Sequence, residues 1–150
     1  MFINDFAFIG NSLWEKSIQN ISVVLGENDS KLFTSNDYFY LTSIYYMNHP
    51  TLSELARKHE VTKPAISVIV RKLMKLELVE KVQSEQDRRV FTVQLTAKGK
   101  NIIWGDERQY YMVEELLKTI IPNEDKYHEF EDVVAELASK MRGEVNHDEA

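Results

Sequence analysis

Apolar residues recur at helical spacing from about Asn4 to Leu25, where Phe6, Ile9, Leu13, Trp14, Ile18, Ile21 and Leu25 share one face, and the pattern stops at Gly26. Glu27 to Phe33 reads as a polar turn. Thr34 or Ser35 can cap a second helix with Tyr38, Leu41, Ile44 and Tyr45 as its stripe, and His49-Pro50 ends it. Thr51-Leu52-Ser53-Glu54 has capping-box spacing and opens a short helix carrying Leu52, Leu55 and Ala56. Thr62 can cap the next helix, which runs to about Leu76 with Ala65, Ile66, Ile69, Val70 and Leu73 as its apolar residues. Pro64 fits in its first turn, where a missing amide costs little. Only three or four residues separate these two helices, so the chain must bend tightly between them.

The period then changes. Leu78, Val79 and Val82 lead into the polar tip Ser84-Glu85-Gln86-Asp87, and Val90-Phe91-Thr92-Val93-Gln94-Leu95 returns, which predicts a β-hairpin. Thr96 caps a helix through Ile102, Ile103, Tyr110, Val113, Leu116, Leu117 and Ile120, which Ile121-Pro122 breaks. Tyr127, Phe130, Val133, Val134, Leu137 and Met141 mark a last amphipathic helix, and the chain after Gly143 is polar and expected to fray. The expected fold is mostly α with a small β-hairpin: a winged helix-turn-helix with N- and C-terminal dimerisation helices. Its expected parts are an N-terminal dimerisation helix and turn (1–33), a winged helix-turn-helix domain (34–96), C-terminal dimerisation helices (97–143) and a flexible tail (144–150).

Composition narrows the chemistry. There is no cysteine, which excludes disulfides, thiolate nucleophiles and cysteine-based metal or redox sensing. The N-terminus has no basic segment before its apolar residues, and no window reaches the roughly 20 apolar residues of a spanning helix, so a cytoplasmic protein away from membranes is expected. A net charge of −6 argues against nucleic acid, but its distribution reverses the inference. Arg57 to Lys100 holds eleven Lys or Arg against five Asp or Glu, so a basic face is carried on an acidic body.

In a helix-turn-helix the second helix enters the major groove. Its outward positions here are Lys63, Ser67, Arg71, Lys72 and Lys75, donors suited to bases and phosphates, while the short side chains of Ser67 and Val68 permit close approach. Thr62, at the start of that helix, belongs to the same candidate set. Lys and Arg on an amphipathic helix also serve simply as its solvated face. The added feature is the hairpin just beyond, whose Arg88 and Arg89 suit the negative potential of a minor groove.

Several segments resemble the MarR family of winged-helix regulators. Leu52-Ser53-Glu54-Leu55-Ala56 is similar to that family's "L..LA" helix, and Val61-Thr62-Lys63-Pro64-Ala65-Ile66-Ser67 to the start of its recognition helix. Leu73 to Val82 resembles its helix-to-strand junction. Asp87-Arg88-Arg89, followed by Val93-Gln94-Leu95-Thr96-Ala97-Lys98-Gly99, resembles its wing signature. The resemblance implies that Arg89 contacts the minor groove and that Asp87 helps to hold the loop. It also implies that Lys63, Ser67, Val68, Arg71 and Lys72 face the major groove or its phosphates. Physically, the Asp87 carboxylate can orient a guanidinium or act as a turn-former. Where the family usually has glycine this chain has Glu77, which must adopt a left-handed conformation or change the exit from the helix.

The implied protein is a sequence-specific regulator, expected to be a repressor that binds palindromic double-stranded DNA as a homodimer. Family members often bind small aromatic effectors between the dimer helices and the DNA-binding lobe. Trp14, Tyr38, Tyr45, Tyr46, Trp104, Tyr110 and Tyr111 can supply such a cleft, or can be core and interface aromatics. No cofactor or metal site is expected, since His49, His59, His128 and His147 have no ligand-like pairing. The chain is not expected to be an enzyme: no nucleotide-binding, metalloprotease or nucleophile-elbow motif occurs. The alternative function is a winged-helix protein-protein interaction module without specific DNA binding.

Overall fold

The computed structural model describes residues 2–84 and 87–143. Met1, Glu85 and Gln86 of the expected wing tip, and the expected tail 144–150 lie outside the described residues. The elements run α1 (Phe2–Ser30), α2 (Ser35–Met47), α3 (Leu52–Lys58), α4 (Lys63–Lys75), β1 (Val79–Gln83), β2 (Phe91–Leu95), α5 (Ala97–Ile120) and α6 (Glu124–Arg142). The chain divides into two units, one ending at Gln109 and one beginning at Tyr110. No described helix is long and apolar enough to cross a membrane.

The first unit contains the buried core. Leu41 and Ile44 of α2, Leu55 of α3, Ile66, Val70 and Leu73 of α4, Leu78, Val93 and Ile102 are almost fully removed from solvent and form one apolar cluster. The hairpin closes that cluster because β1 and β2 pair antiparallel, with Val79 opposite Leu95 and Gln83 opposite Phe91. The loop after α2 adds a third rung: the Val93 amide donates to the Pro50 carbonyl, and Thr51 bridges Thr92. Both capping-box helices start as their hydroxyls dictate. Thr34 accepts from the Asp37 amide and Thr51 from the Glu54 amide, and each carboxylate returns to the amide of its cap.

Two local expectations are corrected. Helical geometry breaks at Gly26 (φ 78°, ψ 173°) as the sequence suggests, but the stretch read as a polar turn is helical as far as Ser30. The Ser30 hydroxyl donates to the Glu27 carbonyl and Lys31 pairs with Glu27, local contacts that sustain one further turn. Ala65, assigned to the apolar stripe of α4, is exposed, because the buried arc of that helix is Ile66, Val70 and Leu73.

Within the first unit α1 lies against α5. The Asn20 side chain donates to the Ile102 carbonyl at 2.9 Å, and Ser17, Ile21 and Leu25 of α1 are buried. In the second unit, α6 is capped by Asn123 and ends at Gly143 in the left-handed region, yet none of its residues is buried.

Candidate nucleic-acid interface

The bend between α3 and α4 comes from Glu60, which takes a left-handed conformation (φ 54°). Its amide donates to the Arg57 carbonyl and the Val61 amide to the Ala56 carbonyl, the paired bonds of a Schellman motif. Thr62 then caps α4 by accepting from the Ala65 amide. The end of α4 repeats the device. Glu77 has φ 60°, its amide donates to Met74, and the Leu78 amide donates to Leu73, with Leu73 and Leu78 both buried. The departure from glycine is therefore accommodated by a left-handed glutamate, and the chain leaves the helix in the direction a glycine would give.

This placement exposes Lys63, Val68, Arg71 and Lys75 on the outer face of α4. Thr62, Pro64 and Ala65 are also exposed, so the N-terminal half of the helix is low in profile, while Lys63 and Arg71 flank it with cations. Val68 is 61 % exposed, one turn before Arg71 and two turns before Lys75, a position where solvation favours a polar residue. An apolar side chain there can meet a thymine methyl group in the major groove. Ser67 is half-buried, and its hydroxyl donates to the Lys63 carbonyl at 3.0 Å.

Lys72 differs from its neighbours. Its ammonium lies 2.5 Å from Oδ2 of Asp37, the residue that completes the α2 capping box. The same oxygen accepts from the Thr34 amide and hydroxyl, each at 2.7 Å. Burial alone would raise the Asp37 carboxyl, but the hydrogen bonds from Lys72 and Thr34 outweigh it and hold the group below its ordinary value. Sequence reasoning missed Asp37. The Thr34-x-x-Asp37 spacing signals the cap, but nothing in it signals Lys72. Nearby, the His59 ring packs 4.3 Å from Tyr40, its Nε2 buried and without a hydrogen-bond partner among the described residues; desolvation first, and then Lys58, lower its pKa.

The wing is anchored at both ends. At its root, Thr96 donates its hydroxyl to the Glu77 carbonyl at 2.6 Å, gives its amide to the Leu78 carbonyl, and accepts from the Gly99 amide. A Cβ on Gly99 would sit 2.1 Å from the Leu78 carbonyl oxygen, so only glycine lets α5 start this close to the hairpin. At its tip, the Arg89 amide donates to Oδ1 of Asp87 at 2.9 Å, and the Gln83 side chain donates to the Arg88 carbonyl at 2.6 Å. Asp87 is thus placed as a turn-former, and the exposed side chains of Arg88 and Arg89 stand on a loop held through its backbone.

Among the aromatic pocket candidates of the first unit, Trp14 and Tyr38 line one cavity and Tyr45 another. Trp14 and Tyr38 meet edge to face at 6.0 Å and line a cavity of about 270 Å³ with Ile21, Phe33 and Thr34. The Tyr38 hydroxyl donates to the buried Asp106 carboxylate, which also accepts from Ser17 at 2.6 Å. Tyr45 lines a separate cavity of about 200 Å³ beside His49 and Lys100, donates to Glu107, and packs edge-on against exposed Tyr46. Trp104 is 41 % exposed on α5, and Tyr110 and Tyr111 belong to the second unit.

Residues 33–91 match the model of the MarR family, a span that contains α2 to α4 and most of the hairpin. A Bacillus subtilis (strain 168) protein named as an uncharacterized HTH-type transcriptional regulator, YsmB, is 27 % identical over 105 residues, covering 65 % of this chain and 72 % of that protein. S. aureus MepR bound to ethidium bromide has a similar fold, with a TM-score of 0.66 at 18 % identity over 94 % of this chain and 96 % of that one. The S. aureus MepR-DNA complex gives a TM-score of 0.63 at 18 % identity over 91 % and 96 %. The chain is thus similar to the MarR family over its winged helix-turn-helix segment, and its fold is that of the MepR structures.

Proposed function

We propose that the chain is a sequence-specific repressor that binds palindromic duplex DNA as a homodimer in the cytoplasm and is controlled by a small aromatic ligand. The observation that carries this reading is the exposed surface of α4, where Val68 precedes Arg71 by one turn and Lys75 by two and Lys63 stands at the helix start, with Arg88 and Arg89 on an anchored wing. Cations alone suit any polyanion, whereas an exposed apolar residue between them suits a base edge. In this reading Thr62, Lys63, Ser67, Val68, Arg71 and Lys75 serve the major groove or its phosphates, and the wing serves the minor groove.

Dimerisation is supported by apolar surface that no described residue covers: Phe2, Ile3, Phe6 and Ile9 on α1, Met112, Leu116 and Ile120 on α5, and Val133, Leu137 and Met141 on α6. The Trp14–Tyr38 cavity is near the lower size limit of small-molecule pockets and joins an aromatic wall to polar groups. MepR has been seen with DNA and with ethidium bromide, which supports a duplex and an aromatic ligand for this chain too. Such a ligand must bind DNA-competent and DNA-incompetent dimers unequally, because equal affinity shifts no population.

Selection from a randomised duplex library at about 0.15 M salt, followed by titration against a scrambled duplex, tests the proposal. A palindromic winner bound at least ~10³-fold better than the scramble is expected, with Arg89→Ala weakening it. Equal, feeble binding to both duplexes would favour the protein-interaction module instead.

A further inference from the structure

Lys72 lies on the reading helix, but its charge is already engaged. Among the described residues Lys63, Arg71 and Lys75 have no carboxylate partner, whereas the Lys72 ammonium sits 2.5 Å from Asp37. The Asp37 side chain is 5 % exposed and fixed by two hydrogen bonds from Thr34, so it cannot follow Lys72 outward. The Lys72 side chain is 38 % exposed, which leaves its ammonium within reach of solvent once the carboxylate no longer holds it.

We propose that Asp37 is a specificity-determining positioning residue, which withholds the Lys72 ammonium from DNA phosphates and so limits sequence-independent binding. The inference rests on α4 being the reading helix, as proposed above. Each cation that neutralises a phosphate releases counterions and strengthens binding to every sequence alike. A lysine already neutralised by a fixed carboxylate releases none, so its stem covers the flank of α4 without adding affinity for scrambled DNA. The carboxylate also ties α4 to the first turn of α2, fixing the outer face that Val68 and Arg71 present.

The test is the salt dependence of binding to a fluorescently labelled scrambled duplex, measured for the full chain, Asp37→Asn, Lys72→Met and the double variant. Asparagine keeps an acceptor for the Thr34 cap and removes the charge. Asp37→Asn is expected to steepen the slope of log affinity against log salt by about 0.9, the value of one further phosphate. Between about 0.05 and 0.2 M salt this is an extra three- to fourfold loss of affinity, approximately, over that of the native chain. Lys72→Met alone is expected to leave the slope unchanged, and adding it to Asp37→Asn is expected to restore the native slope. A merely structural ion pair would change affinity or melting temperature without this pattern.

The inference is overturned if folded Asp37→Asn keeps the native slope. It is also overturned if Lys72→Met alone flattens the slope by about 0.9, since Lys72 would then already contact phosphate. Should Asp37→Asn fail to fold, the Lys72→Met slope decides. A native chain with no salt-dependent duplex binding would instead overturn the DNA-reading function itself, an outcome distinguishable from either result above.

Discussion

Helices α4 and α6 carry the same kind of pattern, apolar residues at helical spacing on an otherwise charged surface, and meet different ends. In α4, Ile66, Val70 and Leu73 are at most 1 % exposed, covered by α2, α3 and the hairpin of their own unit. In α6, Val133, Val134, Leu137 and Met141 are 65, 47, 47 and 79 % exposed. Amphipathicity states that a face will be covered, but not by which chain. The winged module completes its core alone, whereas the apolar residues of α6 are left exposed.

The contrast can be broken most forcefully at Leu73. Leu73→Ala is expected to cost roughly 2–5 kcal/mol of unfolding free energy in a denaturant titration, because it empties a site wholly surrounded by core. A loss below about 1 kcal/mol would show that the module is not close-packed there. On α6, Leu137→Glu is expected to leave the unfolding of the winged module unchanged and to raise the dissociation constant of the proposed dimer at least ~10-fold, read by sedimentation equilibrium, because a charge replaces a leucine whose full burial in an interface is worth about 1.5–3 kcal/mol. Equal assembly of variant and native chain would remove α6 from the interface.

A smaller effect separates what packing fixes from what the backbone tolerates. Glu77 holds a left-handed conformation that costs a side-chain-bearing residue about 1–2 kcal/mol, and its pairing with Lys98 at 3.6 Å is too exposed to offset that cost. Glu77→Gly is therefore expected to stabilise the module by about 1 kcal/mol, seen as a higher thermal midpoint. Smallest is the acid response of Asp37. Its folded value lies below 3.8, so its stabilisation is fully present above that value and is lost as pH falls through the lowered one. The difference in thermal midpoint between the native chain and Asp37→Asn should narrow from about pH 7 to about pH 3, and a constant difference would place the effect elsewhere.

What could be read from the sequence was local. The Thr51 capping box, the hairpin from Val79 to Leu95 and the left-handed need at position 77 each depend on residues within a few positions of one another, and each is present in the structure. Glu60 was not anticipated, since a glutamate carries no sign of the conformation it will take. The Asp37–Lys72 pair joins residues 35 positions apart, and a charge in a cap gives no hint of a distant partner. Ala65 was misassigned because a small apolar residue fits either face of a helix start. The aromatic residues were seen as one group because composition records how many there are, while their grouping depends on which helices approach each other; Trp14 and Tyr38 converge, and Tyr45 faces elsewhere.

Thr96 and Gly99 make the hairpin a lever with its fulcrum far from its load. Each strand has five residues, so the tip lies about 17 Å from the root at ~3.4 Å per residue. A rotation of about 5° at the Thr96 hinge would carry Arg89 by ~1.5 Å, half the length of a hydrogen bond. The aim of the guanidinium is thus set where a threonine hydroxyl meets a backbone carbonyl, at the opposite end of the hairpin.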